Sequence, residues 1–224
     1  MLFRSWIRAQ KGHLAEDAEL RFKEGDALAF RLHAETTDRI VIFTTQGRAF
    51  TLKGDGIPRG RGDGQPLRLM VEMGNDDSPI ALFKPSGRWL LAATDGKGFL
   101  IEATDMLAEK RTGRQVMTVE GTTRVAVCAP ALGDMVAVSG SSRRLLVFPT
   151  DQLPVMARGR GVQLQAYKGE ATLLDARVFT AAEGLSWQQG GRTRTESAIL
   201  EWRGNRAAAG KAPPHGFPKN GRFA

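Results

Sequence analysis

The stretch RIVIFTTQGRAFTLKGDGIPRGRGDGQPLRLM, residues 39–70, sets out the pattern on which the rest of the chain is built. Apolar runs at 40–43 and 49–52, joined by a tight turn with glycine, predict a hairpin, because β-branched and aromatic runs around such a turn are typical of paired strands. A connection rich in glycine and arginine, 54–64, leads to another apolar run at 67–73. We expect that run to form a third strand.

The pattern recurs twice more along the chain. GRWLLAATDGKGFLIEATDMLAEKRTGRQVMTV repeats it at 87–119, and GDMVAVSGSSRRLLVFPTDQLPVMARGRGVQLQAY repeats it at 133–167. The glycine that ends each connection is Gly64, then Gly113, then Gly161, at spacings of 49 and 48 residues. A fixed period of this size indicates a propeller or a related repeat array.

Weaker copies are predicted at both ends. FRSWIR (3–8) aligns with GRAFTL and GKGFLI, which puts Trp6, Phe50 and Phe99 in one column. After it, we expect a turn at 24–26 and a strand of period 2 that carries Leu28, Phe30 and Leu32 on one face. The fourth hairpin-like copy is at 173–202.

The expected fold is therefore all-β, with helix scarce and five sheets in a propeller-like array of about 48 residues per repeat. The tail at 203–224 contains no apolar period, so we expect a basic, flexible extension. The repeats are predicted near 3–35, 39–70, 87–119, 133–167 and 173–202.

Composition restricts the class of protein. The chain has 224 residues with 42% apolar residues and a single cysteine, Cys128. One cysteine cannot form an internal disulfide, so a reducing compartment is expected, and its place in an apolar run favours a buried strand residue over a nucleophile. No apolar run reaches the roughly 18 residues that a membrane-spanning helix needs.

The net charge of +8 is unevenly distributed. Residues 1–140 contain 19 Lys/Arg and 18 Asp/Glu, whereas 141–224 contain 13 Lys/Arg and 6 Asp/Glu, which gives +1 and +7. A basic half suggests a polyanionic partner, most commonly nucleic acid, although a solvated surface with no ligand fits the charge equally well.

Several other chemistries are not supported by the sequence. The glycines at 54–64 are not followed by a helix, which a dinucleotide-binding loop requires. His13, His33 and His215 are far apart and have no metal-ligand spacing. Tyr167 lies among apolar residues, so core packing is favoured over catalysis.

The basic residues are the strongest functional signal, because they recur at corresponding places in successive repeats. We expect them to contact the phosphates of duplex DNA, with glycines allowing close approach of the backbone. The candidates near strands are Arg8, Lys11, Arg48, Lys53, Arg88, Lys97, Arg143, Arg144, Arg192 and Arg194. The candidates on connections are Arg59, Arg61, Lys110, Arg111, Arg114, Arg158 and Arg160.

Several motifs in order resemble one known family, the C-terminal domain found in the A chains of bacterial topoisomerase IV. They are SWIRAQKGH (5–13), FKEGDAL (22–28), TTQGRAFTL (44–52), IPRGRGDGQPL (57–67), DGKGFL (95–100) and TDQLPVMARGRGVQLQ (150–165). The resemblance implies a five-bladed β-pinwheel, in which strands are exchanged between adjacent blades, and a role in binding and bending DNA at the outer edge.

The resemblance also implies an accessory domain that is not itself an enzyme. The catalytic tyrosine, the metal region, ATP and Mg²⁺ would belong to other parts of a type IIA topoisomerase, and this domain would have no cofactor or metal of its own. The implied partners are double-stranded DNA, the rest of the A subunit that carries this domain, and the ATPase B subunit. Recruitment of regulatory proteins is compatible with these partners. The implied location is the cytoplasm, at the nucleoid.

Two alternatives remain at this point. One is the related C-terminal domain of gyrase, whose hallmark is a QRRGGKG box. PRGRGDGQ (58–65) and ARGRGVQ (157–163) are the nearest matches, and neither has the full box. The other is a propeller that makes only protein contacts, since a fold of this type supports many functions.

Overall fold

A computed structural model describes residues 5–12, 22, 27–59 and 62–224, and in this part of the chain the fold is all-β. The helical elements described are short 3₁₀ turns, at Gly54–Gly56, Leu67–Leu69, Ala103–Met106, Thr150–Gln152 and Ile199–Trp202. None of the described helices is long or apolar enough to span a membrane. The strands are β1 (Trp6–Ile7), β2 (Arg39–Thr44), β3 (Arg48–Lys53), β4 (Gln65–Pro66), β5 (Pro79–Phe83), β6 (Arg88–Ala93), β7 (Lys97–Glu102), β8 (Arg114–Gln115), β9 (Val125–Pro130), β10 (Met135–Gly140), β11 (Arg144–Pro149), β12 (Val162–Gln163), β13 (Leu173–Phe179), β14 (Leu185–Gln189) and β15 (Arg192–Glu196).

In the described part of the chain the strands form five antiparallel sheets, the number that the sequence predicted. Their orders are β1-β4, β5-β2-β3-β8, β9-β6-β7-β12, β13-β10-β11 and β14-β15. Three sheets therefore repeat one arrangement: a central hairpin, with a strand from later in the chain on each open side. In the third sheet no further strand pairs with β11 among the described residues; two isolated bridges, from Leu145 to Lys211 and from Val147 to Arg203, take its place.

Each central hairpin forms where the sequence predicted it. In β2 and β3, Ile40 pairs with Leu52 and Ile42 with Phe50, and all four side chains are buried. Continuous apolar runs fit strands covered on both faces. The turn ends at Gly47 with a φ of 74°, a left-handed conformation that glycine adopts without steric cost.

The periodic glycines mark where the chain crosses to an earlier hairpin. Gly64, Gly113 and Gly161 have φ values of 90°, 69° and 78°, and they directly precede β4, β8 and β12, which pair with β1, β3 and β7. A Cβ on Gly161 would lie 2.3 Å from the carbonyl oxygen of Gly98, and a Cβ on Gly64 would lie 2.3 Å from that of Ile7. The period in the sequence is thus the period of strand exchange.

The described residues divide into two compact units. Unit 1 comprises residues 1–85 and 106–115, and unit 2 comprises residues 86–105 and 116–224. The core of unit 1 packs Ile42 and Phe50 of the first hairpin against Leu67 and Val71. Unit 2 has two apolar clusters, one between the β6–β7 and β10–β11 hairpins and one that includes the end of the chain.

The strand expected at 67–73 is not present. Pro66 closes the two-residue strand β4, and a 3₁₀ turn follows at Leu67–Leu69. Proline lacks the N–H that a ladder requires, so pairing stops there. Leu67 and Val71 are both buried, at a spacing of four residues that suits a turn.

The strand expected to carry Leu28, Phe30 and Leu32 is also wrong. Residues 27–35 have no strand geometry, and Leu28 and Phe30 are 50% and 39% exposed. Alternation alone does not make a strand, because the backbone also needs a neighbour to accept its hydrogen bonds. The turn expected at 24–26 lies outside the described residues.

The predicted alignment of Trp6 with Phe50 and Phe99 is wrong by two residues. The glycine before each crossing strand lies against Ile7, Ala49 and Gly98, so these three positions are equivalent. The residue equivalent to Phe50 and Phe99 is therefore two places after Trp6. Trp6 is accordingly 40% exposed, whereas Phe50 and Phe99 are fully buried.

The fourth copy is arranged differently from the prediction. β13 pairs with β10 as an outer strand of the third sheet, and the fourth hairpin is β14–β15. On β15, Arg194 lies opposite Trp187 in the backbone register of the hairpin. Residues 192–195 of this strand are all exposed.

The segment 203–224, here called the C-terminal segment, is packed against the rest of unit 2, so the expectation of a flexible extension is not met. It contains Gly210, 49 residues after Gly161, with a φ of 77°. Phe217 and Phe223 are 8% and 2% exposed and join the second cluster of unit 2. The segment lacks a regular period because a few aromatic anchors, separated by proline and glycine turns, hold it.

Asp175 on β13 fixes the end of this segment. Its Oδ2 accepts the Phe223 N–H at 2.8 Å, and its Oδ1 accepts the Ala176 N–H at 2.8 Å. Burial raises the pKa of Asp175, and these two hydrogen bonds oppose the rise only in part. The protonated carboxyl is therefore favoured more in the folded chain than in the unfolded chain.

We expect wild type to gain stability over Asp175→Asn as the pH falls from neutral. A raised folded pKa gives a contribution that is full below the ordinary aspartate pKa and is lost as the pH rises through the folded pKa. Urea unfolding of both proteins at several pH values measures the difference, with the exposed Glu183→Gln as the charge control. If acidification instead stabilised Asp175→Asn relative to wild type, the pKa of Asp175 would be lowered in the folded chain.

Candidate nucleic-acid interface

Three of the predicted basic residues occupy one register position. Arg48, Lys97 and Arg144 are the first residues of β3, β7 and β11, the second strands of the three central hairpins. Arg48 lies opposite Gln115 on β8, and Lys97 lies opposite Gln163 on β12. The repeated sheet order therefore places a cation beside β8 and another beside β12, and it places Arg144 at the equivalent position beside Gly210.

Two of these cations brace the crossing segments. Arg48 donates from Nη2 to the Thr112 carbonyl at 2.6 Å and from Nη1 to Gln115 Oε1 at 3.3 Å. Arg144 donates from Nη1 to the Gly210 carbonyl at 2.9 Å. Part of each guanidinium is thereby committed to the fold, so removing either side chain would loosen the strand exchange as well as reduce the charge.

Two further candidates form ion pairs within unit 2. Arg88 Nη2 lies 2.9 Å from Glu102 Oε1, and Arg160 lies 3.1 Å from Glu120 and 3.7 Å from Asp95. The two arginine side chains are 47% and 43% exposed. Pairs this exposed contribute about 0–1 kcal/mol. An incoming phosphate can therefore replace the carboxylate at little cost.

Arg111 and Arg8 brace loops of unit 1. Arg111 donates from Nε to the Met70 carbonyl at 3.0 Å and from Nη2 to the Leu69 carbonyl. Arg8 donates from Nη1 to the Gly62 carbonyl at 3.3 Å. Both side chains therefore hold the connection that surrounds the first crossing strand.

The remaining candidates are more available to a ligand. Within the described residues, the structure gives Lys53, Lys110 and Arg158 no internal hydrogen bond or ion pair through their side chains. Lys97 and Arg114 are half-buried, and Arg61 lies outside the described residues. Among these remaining candidates, the exposed ones are Lys11, Lys53, Arg59 and Lys110 in unit 1 and Arg143, Arg158, Arg192 and Arg194 in unit 2.

The basic residues of the C-terminal segment were not among the candidates. Arg206 donates to the Gln163 carbonyl at 2.7 Å, Lys211 pairs with Leu145 through the backbone, and Lys219 is exposed. The segment has five basic residues and no carboxylate side chain. The spacing of Gly210 from Gly161 is the sequence signal that would have included it in the repeat.

Comparisons with known proteins identify the family of the chain. A family model described as the DNA gyrase C-terminal domain, beta-propeller, matches residues 38–83 and 134–180. The A subunit of DNA topoisomerase 4 from Rickettsia bellii is 45% identical over 98% of this chain, and that from Caulobacter vibrioides is 44% identical over 98%. This chain belongs to the family of C-terminal domains that gyrase and topoisomerase IV carry on their A subunits. It spans about 30% of the length of the curated relatives it matches.

The fold of the family is shared as well. A solved structure of the E. coli ParC C-terminal domain superposes with a TM-score of 0.83, over 96% of this chain and 92% of that one, at 21% identity. At that identity the likeness establishes the fold alone. The all-β, propeller-type fold class expected from the repeats is thereby confirmed.

The two side chains that could act as nucleophiles, Tyr167 and Cys128, are packed into the fold of this topoisomerase-family domain. Tyr167 lies between Gly96 and Gly140, where an added Cβ would come within 2.4 Å of its ring in each case, and its hydroxyl donates to Gln165 Oε1 at 3.1 Å. Burial raises the pKa of Tyr167 and of Cys128 on β9. Both groups therefore stay protonated at neutral pH, which makes them poor nucleophiles.

No group of His, Cys, Asp or Glu side chains in the described residues is arranged to hold a metal ion. Of the three histidines, His33 and His215 are exposed, and His13 lies outside the described part.

Proposed function

We propose that this chain is a DNA-binding and DNA-bending domain of the topoisomerase IV type. The observation that carries the proposal is the recurrence of cations at equivalent positions of the repeated sheets, such as Arg48, Lys97 and Arg144. Exposed cations on the connections, such as Lys110 and Arg158, supply further contacts. Repetition matters because duplex DNA itself presents phosphates at a regular spacing.

The contacts would be made to the sugar–phosphate backbone, not to base edges. Lysine and arginine on turns neutralise phosphates without reading sequence, and glycines beside them let backbone N–H groups approach. Successive contacts along one duplex can bend about 30 base pairs at a cost of roughly 1–6 kcal/mol, which the added contacts repay. Bending of this kind would favour particular DNA crossings, and so tune decatenation and supercoil relaxation.

The chemistry of strand passage would lie outside this chain. In the proposal, an ATPase B subunit together with the remainder of the A subunit supplies the catalytic residues, ATP and Mg²⁺, and this domain contributes DNA geometry alone. The setting would be the cytoplasm, at the nucleoid. Tight wrapping of the gyrase type is the less favoured function, because neither residues 58–65 nor residues 157–163 contain the complete QRRGGKG box.

We expect the chain to bind a linear duplex with an affinity that falls steeply with salt. The slope of log K against log salt should be about −0.9 for each phosphate neutralised. Arg158→Glu should weaken binding and flatten the slope more than Lys168→Glu, which makes the same charge reversal at an exposed lysine outside the candidate set. Fluorescence anisotropy over a series of salt concentrations measures both quantities.

The absence of binding even at low salt would remove the proposal. A propeller that makes only protein contacts would then become the leading alternative. Equal effects of the two variants at Arg158 and Lys168 would place the duplex elsewhere on the surface.

A further inference from the structure

Unit 2 has an open cleft beside the C-terminal segment. Its walls are Arg143 in the β10–β11 turn, Gln188 and Gln189 at the end of β14, and residues 215–220. A smaller adjoining cleft shares Arg143 and Lys219 with it. Residues far apart in sequence therefore meet at one place on the surface.

The cleft is lined by cations and amides. Its lining includes Arg143, Lys219, Gln188, Gln189 and Asn220, and, among the described residues, no aspartate or glutamate lines either cleft. Arg194 lies beside it, because an added Cβ on Gly216 would come within 2.8 Å of Arg194 Nη1. A site of this composition favours an anion that accepts several hydrogen bonds, and phosphate does so.

Arg143 occupies a backbone position that glycine occupies in the other two hairpins. Gly47, Gly96 and Arg143 each donate their N–H to the carbonyl three residues earlier, and their φ values are 74°, 84° and 56°. This left-handed conformation is unfavourable for a residue with a Cβ. A cation is therefore kept at a turn where the repeat itself would favour glycine, and strain of this kind points to a function of the side chain.

The opposite wall is held in place by the fold. Trp187 donates from Nε1 to the Gly216 carbonyl at 3.1 Å, and the Phe217 ring packs edge-on against Trp187, with centroids 5.6 Å apart. Further along the same segment, the Phe223 N–H donates to Asp175 Oδ2. Lys219 is thus presented from an anchored segment, which lowers the entropic cost of binding a ligand.

We propose that this cleft binds a phosphodiester group of duplex DNA, with Arg143 and Lys219 as its cationic contacts. The proposal rests on the proposed function and adds the C-terminal segment to the DNA path. Arg143 would donate a forked pair of N–H groups to the phosphate oxygens, and Lys219 would supply a point charge from the other wall. Neither contact would distinguish base sequence.

The sharpest test is Arg143→Gly, because it restores the residue found in the sister turns. We expect its midpoint of urea unfolding to be equal to or higher than that of wild type, since the left-handed strain is removed. Its affinity for a duplex should be lower, with the slope of log K against log salt flatter by about 0.9. Binding would then be weakened without any loss of stability, which a merely structural role of Arg143 would not produce.

Lys219→Gln tests the other wall, and Lys168→Gln is the matched control on the same unit. We expect the variant at Lys219 to flatten the salt slope by about 0.9, the double variant with Arg143→Gly to flatten it by about 1.8, and the control to leave it nearer the wild-type value. Two duplexes of different sequence should give the same changes.

Wild-type slopes in both variants at the cleft would overturn this inference and leave the proposed function standing, because wild type would still bind DNA. A wild-type chain that binds no duplex at low salt would overturn both. Retained Trp187 and Trp202 fluorescence and a cooperative melt show that each variant is folded.

Discussion

Replacing Gly161 with alanine is expected to destabilise unit 2 by at least about 3 kcal/mol, since a strained backbone and a steric clash act together. The residue has a φ of 78°, and a Cβ would lie 2.3 Å from the Gly98 carbonyl oxygen and 2.9 Å from the Phe99 ring. The nearest of these atoms belongs to backbone inside a sheet. It cannot move away without breaking the pairing of β12 with β7.

The matched control is Gly169→Ala. Gly169 has a φ of 59°, but an added Cβ there would meet nothing within 4 Å. Its substitution should cost only the left-handed penalty of about 1–2 kcal/mol. Urea unfolding followed by tryptophan fluorescence compares the two, and equal losses would show that close approach at Gly161 does not hold the strand exchange together.

Phe217→Ala is expected to destabilise the chain by about 3–5 kcal/mol, the usual cost of truncating a buried phenylalanine. Phe217 is 8% exposed, and its ring packs edge-on against Trp187 at 5.6 Å and Phe223 at 5.4 Å between centroids. Its loss would leave a cavity and release the C-terminal segment from β14. Thermal and urea unfolding measure the effect.

Leu200→Ala is the control for this second prediction, because Leu200 is 75% exposed although it lies in the 3₁₀ turn Ile199–Trp202. It should change the free energy of unfolding by less than about 0.5 kcal/mol. A cost for Phe217→Ala as small as that of Leu200→Ala would mean that the C-terminal segment is detached, as the sequence pattern alone suggested.

The repeat was predictable because its signals are local. A hairpin needs two apolar runs around a turn, and a left-handed crossing needs glycine, so both leave marks within one repeat. The periodic Gly64, Gly113 and Gly161 therefore mark the strand exchange in the sequence itself. Extending the same spacing reaches Gly210, and would have predicted that the chain end belongs to the fold.

The register and the end of the chain were not predictable in the same way. A shift of two residues keeps every side chain on the same face of a strand, so alternation could not distinguish Trp6 opposite Pro66 from the column with Phe50. The C-terminal segment is held by Phe217 and Phe223, two contacts far apart in sequence from their partners. Period-based reasoning does not detect anchors of this kind.

The candidate interface was predictable as a set of positions, but not side chain by side chain. Arg48 and Lys53 lie on the same strand, yet Arg48 donates to Thr112 and Gln115 whereas Lys53 is exposed. The difference depends on a carbonyl 64 residues away in sequence. Only the three-dimensional pairing of β3 with β8 shows that the Arg48 side chain is partly committed to the fold, whereas the Lys53 side chain is available.

The most direct test of the central claim is a duplex of about 40 base pairs, labelled at both ends for energy transfer and titrated with the chain at low salt. We expect energy transfer to rise as the duplex is bound, because the ends are drawn together, and to return to the value of free DNA when salt releases it. Binding without a rise in energy transfer, or no binding at all, would contradict a DNA-bending domain.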